Sequence, residues 1–474
     1  MWIKTRNDPR RRAASHGRAP NALTGLPVVR ARPFAALCVT VLIAISHAGV
    51  CLCDEADQSD YSAVEGRPIL RIEISGNKKT KEYVILRELQ TDVGDSLSVT
   101  TMKTDLMRLT ALNAFSKVEI TPRLEGDRVV YAINVSETAF VIATLLPGYS
   151  EENGWYGGPM VSTPNWFGRA ILASVYAQWG GITKYSLSAN SPWISVAHRQ
   201  LSVSSATTYQ QREDKIRRSE ETTLSSGGRG TFYPGRNRIL GFGLGFYYLR
   251  TRSGKPGITL SPSNIDDLLQ FELLLRANSI EDPLDPRRGW VAGVQERRTG
   301  GFLGGEGDSW RTQVDVVRYQ SLSPRTTLAV GGVFAEQTGT VGEDVPVYLQ
   351  YSLGGSNSVR GYSRTDLGRV LYGKNQLLGT VEFSYRIMRP RRIQLFGMSF
   401  LSFRLGANIV GFLDHGVAWT DPSGLNLDRS RTGYGVGLHL TVPGVDRIRL
   451  DLGFSQEGDV MVHLGTRTKF DAQR

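Results

Sequence analysis

Side chains that could do covalent chemistry are sparse in this 474-residue chain. A hydrolase or transferase needs a nucleophile beside a base, yet no Gly-x-Ser-x-Gly elbow occurs and no Ser or Cys stands in a pattern that pairs it with one. The six histidines are scattered without paired ligand spacing, and His415 reads as structural. All three cysteines, Cys38, Cys51 and Cys53, lie near the start, so the body of the chain has no thiolate for a metal or a disulfide. Gly-rich runs such as "GGFLGGEG" and "GFGLGF" lack the strand-to-helix context of a nucleotide loop. These patterns point away from an enzyme and call for no cofactor and no metal. What remains is electrostatic: "LGGSNSVRGYSRTDLGR", from Leu353 to Arg369, sets Arg360 between Val359 and Gly361 in an otherwise flexible-looking loop. A guanidinium presents a planar fork that can hold two carboxylate oxygens at once. Taken alone, it reads as a solvated loop charge.

The elements that would position such a group begin after a leader. Eight Lys and Arg residues against Asp8 alone carry +7 of the formal +11 within the first 32 residues. The sequence pI of about 9.5 therefore belongs largely to that leader and is no nucleic-acid footprint. The apolar stretch "PFAALCVTVLIAISHAGVCLC" follows, with Ser46 and Ala48 flanking His47, and reads as a secretory signal over residues 1–48, cleaved after Ala48. Lipidation at Cys51 is the rival reading, and Val50 is large for the position before a lipidated cysteine. A linker spans 49–66.

Residues 67–138 read as a small α/β domain. "RPILRIEISGN" alternates and ends in a turn; "KTKEYVILRELQ" and "TTMKTDLMRLTALNAF" carry apolar residues at helical spacing; "SKVEITPRL" and "DRVVYAINVSE" alternate again. The order is β-α-α-β-β. From 139 to 474 helical periodicity gives way to a period of two. In "RILGFGLGFYYLR", Leu240, Phe242, Leu244, Phe246 and Tyr248 oppose Gly241, Gly243, Gly245 and Tyr247. "GYGVGLHLTV" and "RIRLDLGFS" repeat the contrast of an apolar face with a small or polar one. That contrast fits strands with lipid on one side and a confined, wet lumen on the other. At about 20 residues per strand with its loop, the stretch yields about 16 strands, an antiparallel transmembrane β-barrel. The backbone demands closure, because a strand edge in hydrocarbon leaves polar groups unpaired.

Several motifs in order, "NWFGRA" (Asn165 to Ala170), "SPWI", "DPLDPRRGW", "LGGSNSVRGY", "VGFLDHGVAW" and a terminal strand reaching Phe470, make the chain resemble the outer-membrane assembly-factor superfamily. Its members couple periplasmic POTRA domains to a bacterial-surface-antigen barrel of 16 strands. Here only one POTRA fits, as in a short or specialised member. The resemblance implies that Arg360, Gly361 and Tyr362 belong to loop 6, which folds into the lumen, and that Arg360 meets Asp414 of "FLDHG" and Glu382 of "GTVEFSYR". Glu382 alternates with Val381 and Phe383, so it points inward if they face lipid. The resemblance also makes Phe470 the terminal-strand recognition signal, displaced by "DAQR", while Gly465 either weakens the seam or makes a lumen contact. The implied function is insertion or translocation of unfolded outer-membrane or secreted polypeptides in the outer membrane of a Gram-negative-type cell. The POTRA would capture substrate by β-augmentation, the outer-membrane lipid would surround the barrel, and periplasmic accessory proteins are possible partners. The alternative is a passive pore or structural surface barrel.

Overall fold

The computed structural model describes residues 51–52, 61 and 63–472, apart from 113, 151, 194–199, 236–237, 281, 283–284, 365–370, 395–401, 421–424, 426, 443–444 and 467–468. The expected signal segment lies outside the described residues.

A two-residue strand, β1 (Cys51–Leu52), pairs with the far end of a barrel strand. The small domain follows: β2 (Ile69–Ser75), α1 (Glu82–Leu86), α2 (Val99–Ala111), β3 (Phe115–Glu125) and β4 (Arg128–Glu137). Its sheet order is β2-β4-β3, with β2 parallel to β4 and β3 antiparallel to it. Val84, Ile85, Leu89, Met102 and Leu109 are buried against Val129, Tyr131 and Ile133; of the residues read at helical spacing, Leu89, Met102 and Leu109 are in this core, Tyr83, Leu106 and Leu112 pack on it partly buried, and Leu86 is exposed. Each fully buried side chain contributes about 1.5–3 kcal/mol by leaving water. Asp105 sits inside that core because it has partners, accepting from Gln90 N at 2.6 Å and Tyr131 Oη at 3.2 Å.

The barrel strands are β5 (Ile142–Ser150), β6 (Gly154–Trp166), β7 (Ile171–Gly180), β8 (Ile182–Ser191), β9 (Gln200–Asp214), β10 (Ser219–Tyr233), β11 (Leu240–Ser253) and β12 (Ile265–Asn278). They continue as β13 (Gly289–Gly300), β14 (Asp308–Ser321) and β15 (Thr326–Gln337). A long loop then carries a two-strand ribbon, β16 (Tyr351–Leu353) and β17 (Leu371–Gly373). The last five barrel strands are β18 (Asn375–Gln394), β19 (Ser402–Trp419), β20 (Arg431–Val442), β21 (Val445–Ser455) and β22 (Val460–Thr466). Sixteen strands thus form the barrel, and β1 makes the sheet seventeen-stranded. Among the described residues, antiparallel registers run at every junction from β5 round to β22, and β22 adjoins β5 in the strand order with no residue register between them. β5 and β22, of 9 and 7 residues, are the shortest barrel strands.

The faces follow the alternation. Phe242, Leu244 and Phe246 are exposed on the outer face while Gly241, Gly243 and Gly245 are buried inside. Tyr434, Val436 and Leu438 likewise face out. One expectation is corrected: the terminal strand does not extend to Phe470. β22 stops at Thr466, and Lys469–Ala472 form a helical turn, α3. Phe470 is buried against Tyr319 and Ala329 rather than ending a lipid-facing strand, because an inner-wall pocket of apolar side chains receives its ring.

Candidate functional site

The long loop between β15 and β18 folds back onto the inner wall, and Arg360 is its deepest group, with no exposed surface. The guanidinium meets Asp414 side-on: Nε donates to Oδ2 at 2.7 Å and Nη2 to Oδ1 at 3.0 Å, and the backbone N of Arg360 adds a 3.1 Å bond to Oδ2. This is the bidentate geometry that only an arginine fork supplies. Nη1 donates to Asp451 Oδ2 at 3.2 Å and lies 2.8 Å from Glu382 Oε1. The Glu382 contact is a charge pair without hydrogen-bond alignment. The guanidinium carbon also sits 3.5 Å from the centroid of the Phe412 ring, a cation–π contact in a desolvated place.

Strand alternation places these partners. Thr380, Glu382, Phe412, Asp414 and Asp451 point inward, while Val381 and Phe383 are exposed to the outside. Asp414 additionally accepts from Thr380 Oγ1 at 3.0 Å. Asp451 is held by His439 Nε2, which donates at 2.9 Å. Gly361 N donates to His463 Nε2 at 2.8 Å, so that ring carries its proton on Nδ1. Tyr362 packs among Val333, Leu353, Val359 and Leu378 and reaches Glu457 Oε2 at 2.6 Å.

All five residues expected at the loop anchor, Arg360, Gly361, Tyr362, Asp414 and Glu382, therefore lie together. Sequence reasoning missed Asp451, His439, His463, Phe412 and Arg449. Asp451 had a signal: it is the one acid on the small-and-polar face of "RIRLDLGFS". His439 stood inward in "GVGLHLT" in the same way. His415 points away from the cluster, with Nδ1 2.9 Å from Thr432 Oγ1. Gly465 proves to be a lumen position, where an added Cβ would lie 2.5 Å from Arg449 Nη2. It leaves room for Arg449 to donate to Asn357 Oδ1 at 2.7 Å and Ser356 O at 3.1 Å in the loop.

A second polar cluster joins the small domain to the barrel, and it uses two sequence motifs that had no role. In "NWFGRA", Asn165 Nδ2 donates to Thr80 Oγ1 at 2.8 Å while its Oδ1 accepts from Ala170 N at 2.8 Å. Lys81 N donates to Gly168 O at 2.9 Å. Gly168 has φ +69°, and a Cβ there would fall 2.2 Å from Lys79 O, so only glycine fits. In "SPWI", the Trp193 indole N–H donates to Glu88 Oε1. Arg238 Nη2 donates to Glu88 Oε2 at 2.7 Å and stacks 4.3 Å over the Trp193 ring. Glu137 accepts from Thr80 N, Thr80 Oγ1 and Lys79 N at 2.6, 2.7 and 2.8 Å. Partial burial opposes its ionisation, but these donors outweigh it and hold the carboxyl below its usual range.

Because Glu88 is fully buried, Glu88→Ala is expected to weaken the docking by about 1.5–3 kcal/mol, the worth of a charge-assisted hydrogen bond. The check is hydrogen exchange at the Lys81 and Ala170 amides: both should speed up while amides within the barrel strand ladders do not change.

Comparison with known proteins bears on both clusters. Residues 165–467 match the Omp85 superfamily domain, and residues 68–138 match POTRA, described as a surface antigen variable number repeat. The outer membrane protein assembly factor BamA of Nitratidesulfovibrio vulgaris is 23% identical over 381 residues, covering 76% of this chain and 45% of that protein. BamA of Neorickettsia risticii is 23% identical over 345 residues, covering 69% and 45%. The chain thus spans about half the length of the curated relatives it matches. Among solved structures, BamA from Haemophilus ducreyi lacking POTRA domains 1–3 aligns with a TM-score of 0.56 at 16% identity over 88% of each chain. CdiB from Escherichia coli aligns at 0.57 and 15% identity over 91% of this chain and 82% of that one. At those identities the structures speak for the fold. With the superfamily domain covering well over half of its length and a POTRA domain ahead of it, this chain belongs to the Omp85 superfamily of outer-membrane assembly and secretion barrels.

Proposed function

We propose that this protein inserts or translocates unfolded polypeptides at the outer membrane, with the POTRA in the periplasm as the receiving domain and the β5/β22 seam as the exit or template. The observation that carries the reading is the seam. A barrel that served only as a wall would gain from long, fully paired terminal strands, since unpaired backbone in lipid costs several kcal/mol per group. Here the two terminal strands are the shortest of the sixteen. β5 also carries Pro147, which has no N–H to give to a ladder.

The POTRA sheet offers two edges for capture. Residues 94–97 bond Arg67 and Ile69, as in Leu97 N to Arg67 O at 2.8 Å and Gly94 N to Ile69 O at 2.9 Å, which covers only the start of the β2 edge. β3 is the opposite edge of the sheet, and its outer side has no strand partner among the described residues. An extended substrate adding to β3 would satisfy those free groups and gain backbone hydrogen bonds irrespective of its sequence. The lumen cluster around Arg360 would then hold loop 6 in place while the seam parts.

Purified protein in liposomes is expected to accelerate the folding of an unfolded outer-membrane barrel added from outside, relative to empty liposomes. Correctly inserted protein that gives no acceleration, yet conducts small ions, would leave the passive-pore alternative standing.

A further inference from the structure

Beyond β22, the helical turn Lys469–Ala472 lies in the lumen and reaches the same carboxylate that anchors loop 6. Lys469 is completely buried, with Nζ 2.5 Å from Asp414 Oδ1 and donating to Ser358 O of the loop at 2.5 Å. Phe470 meets Tyr319 edge-on at 6.0 Å between centroids and lies over Gly331, where an added Cβ would stand 2.7 Å from its ring. Lys469 thus joins Arg360 on Asp414, in a buried cluster that also holds Glu382, Asp451, Arg449 and Arg447. Without Lys469, Asp414 loses the ammonium that faces its Oδ1 in a desolvated place, where a lost partner is most costly. Lysine suits the position because its compact ammonium can approach a carboxylate oxygen whose other side is already taken by an arginine fork.

We propose that Lys469 is a positioning residue that completes the set of partners around Asp414 at the loop 6 anchor, with Phe470 as its apolar footing, and so ties the last seam strand to loop 6 through Asp414. Lys469 follows Thr466, the last residue of β22, by three residues, so the chain that holds the ammonium also holds the seam strand that adjoins β5. Loop and seam strand then share one carboxylate, and loosening either loosens the other.

The test reads conformation, not transport, and so is separate from the insertase reading. In a chain with Cys38, Cys51 and Cys53 changed to serine, Ala472→Cys reports release of the tail by its rate of maleimide labelling, and limited proteolysis reports loop 6. Lys469→Met is expected to raise both rates at least about tenfold, the equivalent of one charge-assisted hydrogen bond, whereas Lys469→Arg, which keeps the charge but not the compact head, raises both by less. Faster labelling with loop cleavage unchanged would overturn the coupling, as would a parental tail already labelled as fast as in unfolded protein. If Lys469→Met does not fold, as judged by loss of the heat-modifiable barrel band, Phe470→Ala serves instead. It leaves every charge in place and is expected to speed labelling at position 472, and unchanged labelling there would equally count against the anchor.

Discussion

Replacing Arg360 by alanine is expected to release the β15–β18 loop from the inner wall while leaving the barrel folded. The variant removes the fork from Asp414 and the Nη1 contacts from Asp451 and Glu382, three acids that are each nearly or fully buried. Truncating one side of a buried ion pair costs about 3–5 kcal/mol because the opposite charge stays buried and unpaired, which shifts the docked-to-free equilibrium of the loop by about two to four orders of magnitude. The barrel ladders do not depend on Arg360, so the heat-modifiable form should persist. The measurement is protease cleavage within residues 338–374 on intact cells or proteoliposomes: sites in the parent should be slow and in the variant fast. Arg360→Lys should recover little, since an ammonium cannot serve both Asp414 oxygens and Asp451 from one place. Equal cleavage of parent and alanine variant would show that the loop does not depend on this contact.

Gly433→Val is expected to give the same released loop with every charge intact. Gly433 faces the loop backbone so closely that a Cβ would stand 1.6 Å from Arg360 O, and Gly453 beside it would place one 2.5 Å from Gly361 N. From the other side, Gly361 has φ +95° and would put a Cβ 2.6 Å from the Phe454 carbonyl. The loop backbone thus rests directly on a floor of bare backbone, and the valine side chain cannot be accommodated by a rotamer change. Overpacking of a close contact costs about 1–3 kcal/mol when neighbours can give; here the neighbour is backbone, so the loop itself must lift. Cleavage of loop 6 in Gly433→Val comparable with Arg360→Ala would show that anchoring needs both the charge and the floor. A parental cleavage pattern would mean that the wall moves instead.

The contrast between these two variants marks what could be read from the residues. A solvent-side glycine and a wall glycine look alike in "GYGVGLHLTV": the alternation says that Gly433, Gly435 and Gly437 share a face, and nothing local says that a loop some 70 residues earlier in the chain lies on it. Glu382 and Asp414 were legible because a period of two fixes which side of a strand each occupies, and because ordered motifs supplied their partner. Asp451 and His439 were equally legible as inward positions, but the ion pair they enter is fixed by a β21 strand two places beyond β19, a distance in the sheet that periodicity does not encode. Phe470 misled for a related reason. The alternation of "VMVHLGTRTKF" continues past Thr466, but the energy of burying an aromatic ring and pairing Lys469 inside the lumen competes with continuing an edge strand, and only the shape of the interior decides that contest.

By itself, then, the sequence determined one small α/β domain, about sixteen strands from the length of the alternating region, and the inward side of those strands whose alternation is plain, because 3.6- and 2-residue periods are local consequences of backbone geometry. It also placed an arginine where a fork could be used. Only the tertiary structure decided which carboxylates that fork meets, that "NWFGRA" and "SPWI" hold the small domain, and that the chain end returns to the same cluster. Those are contacts between strands and loops far apart in the chain, set by barrel register and by the space that bare backbone leaves on the inner wall.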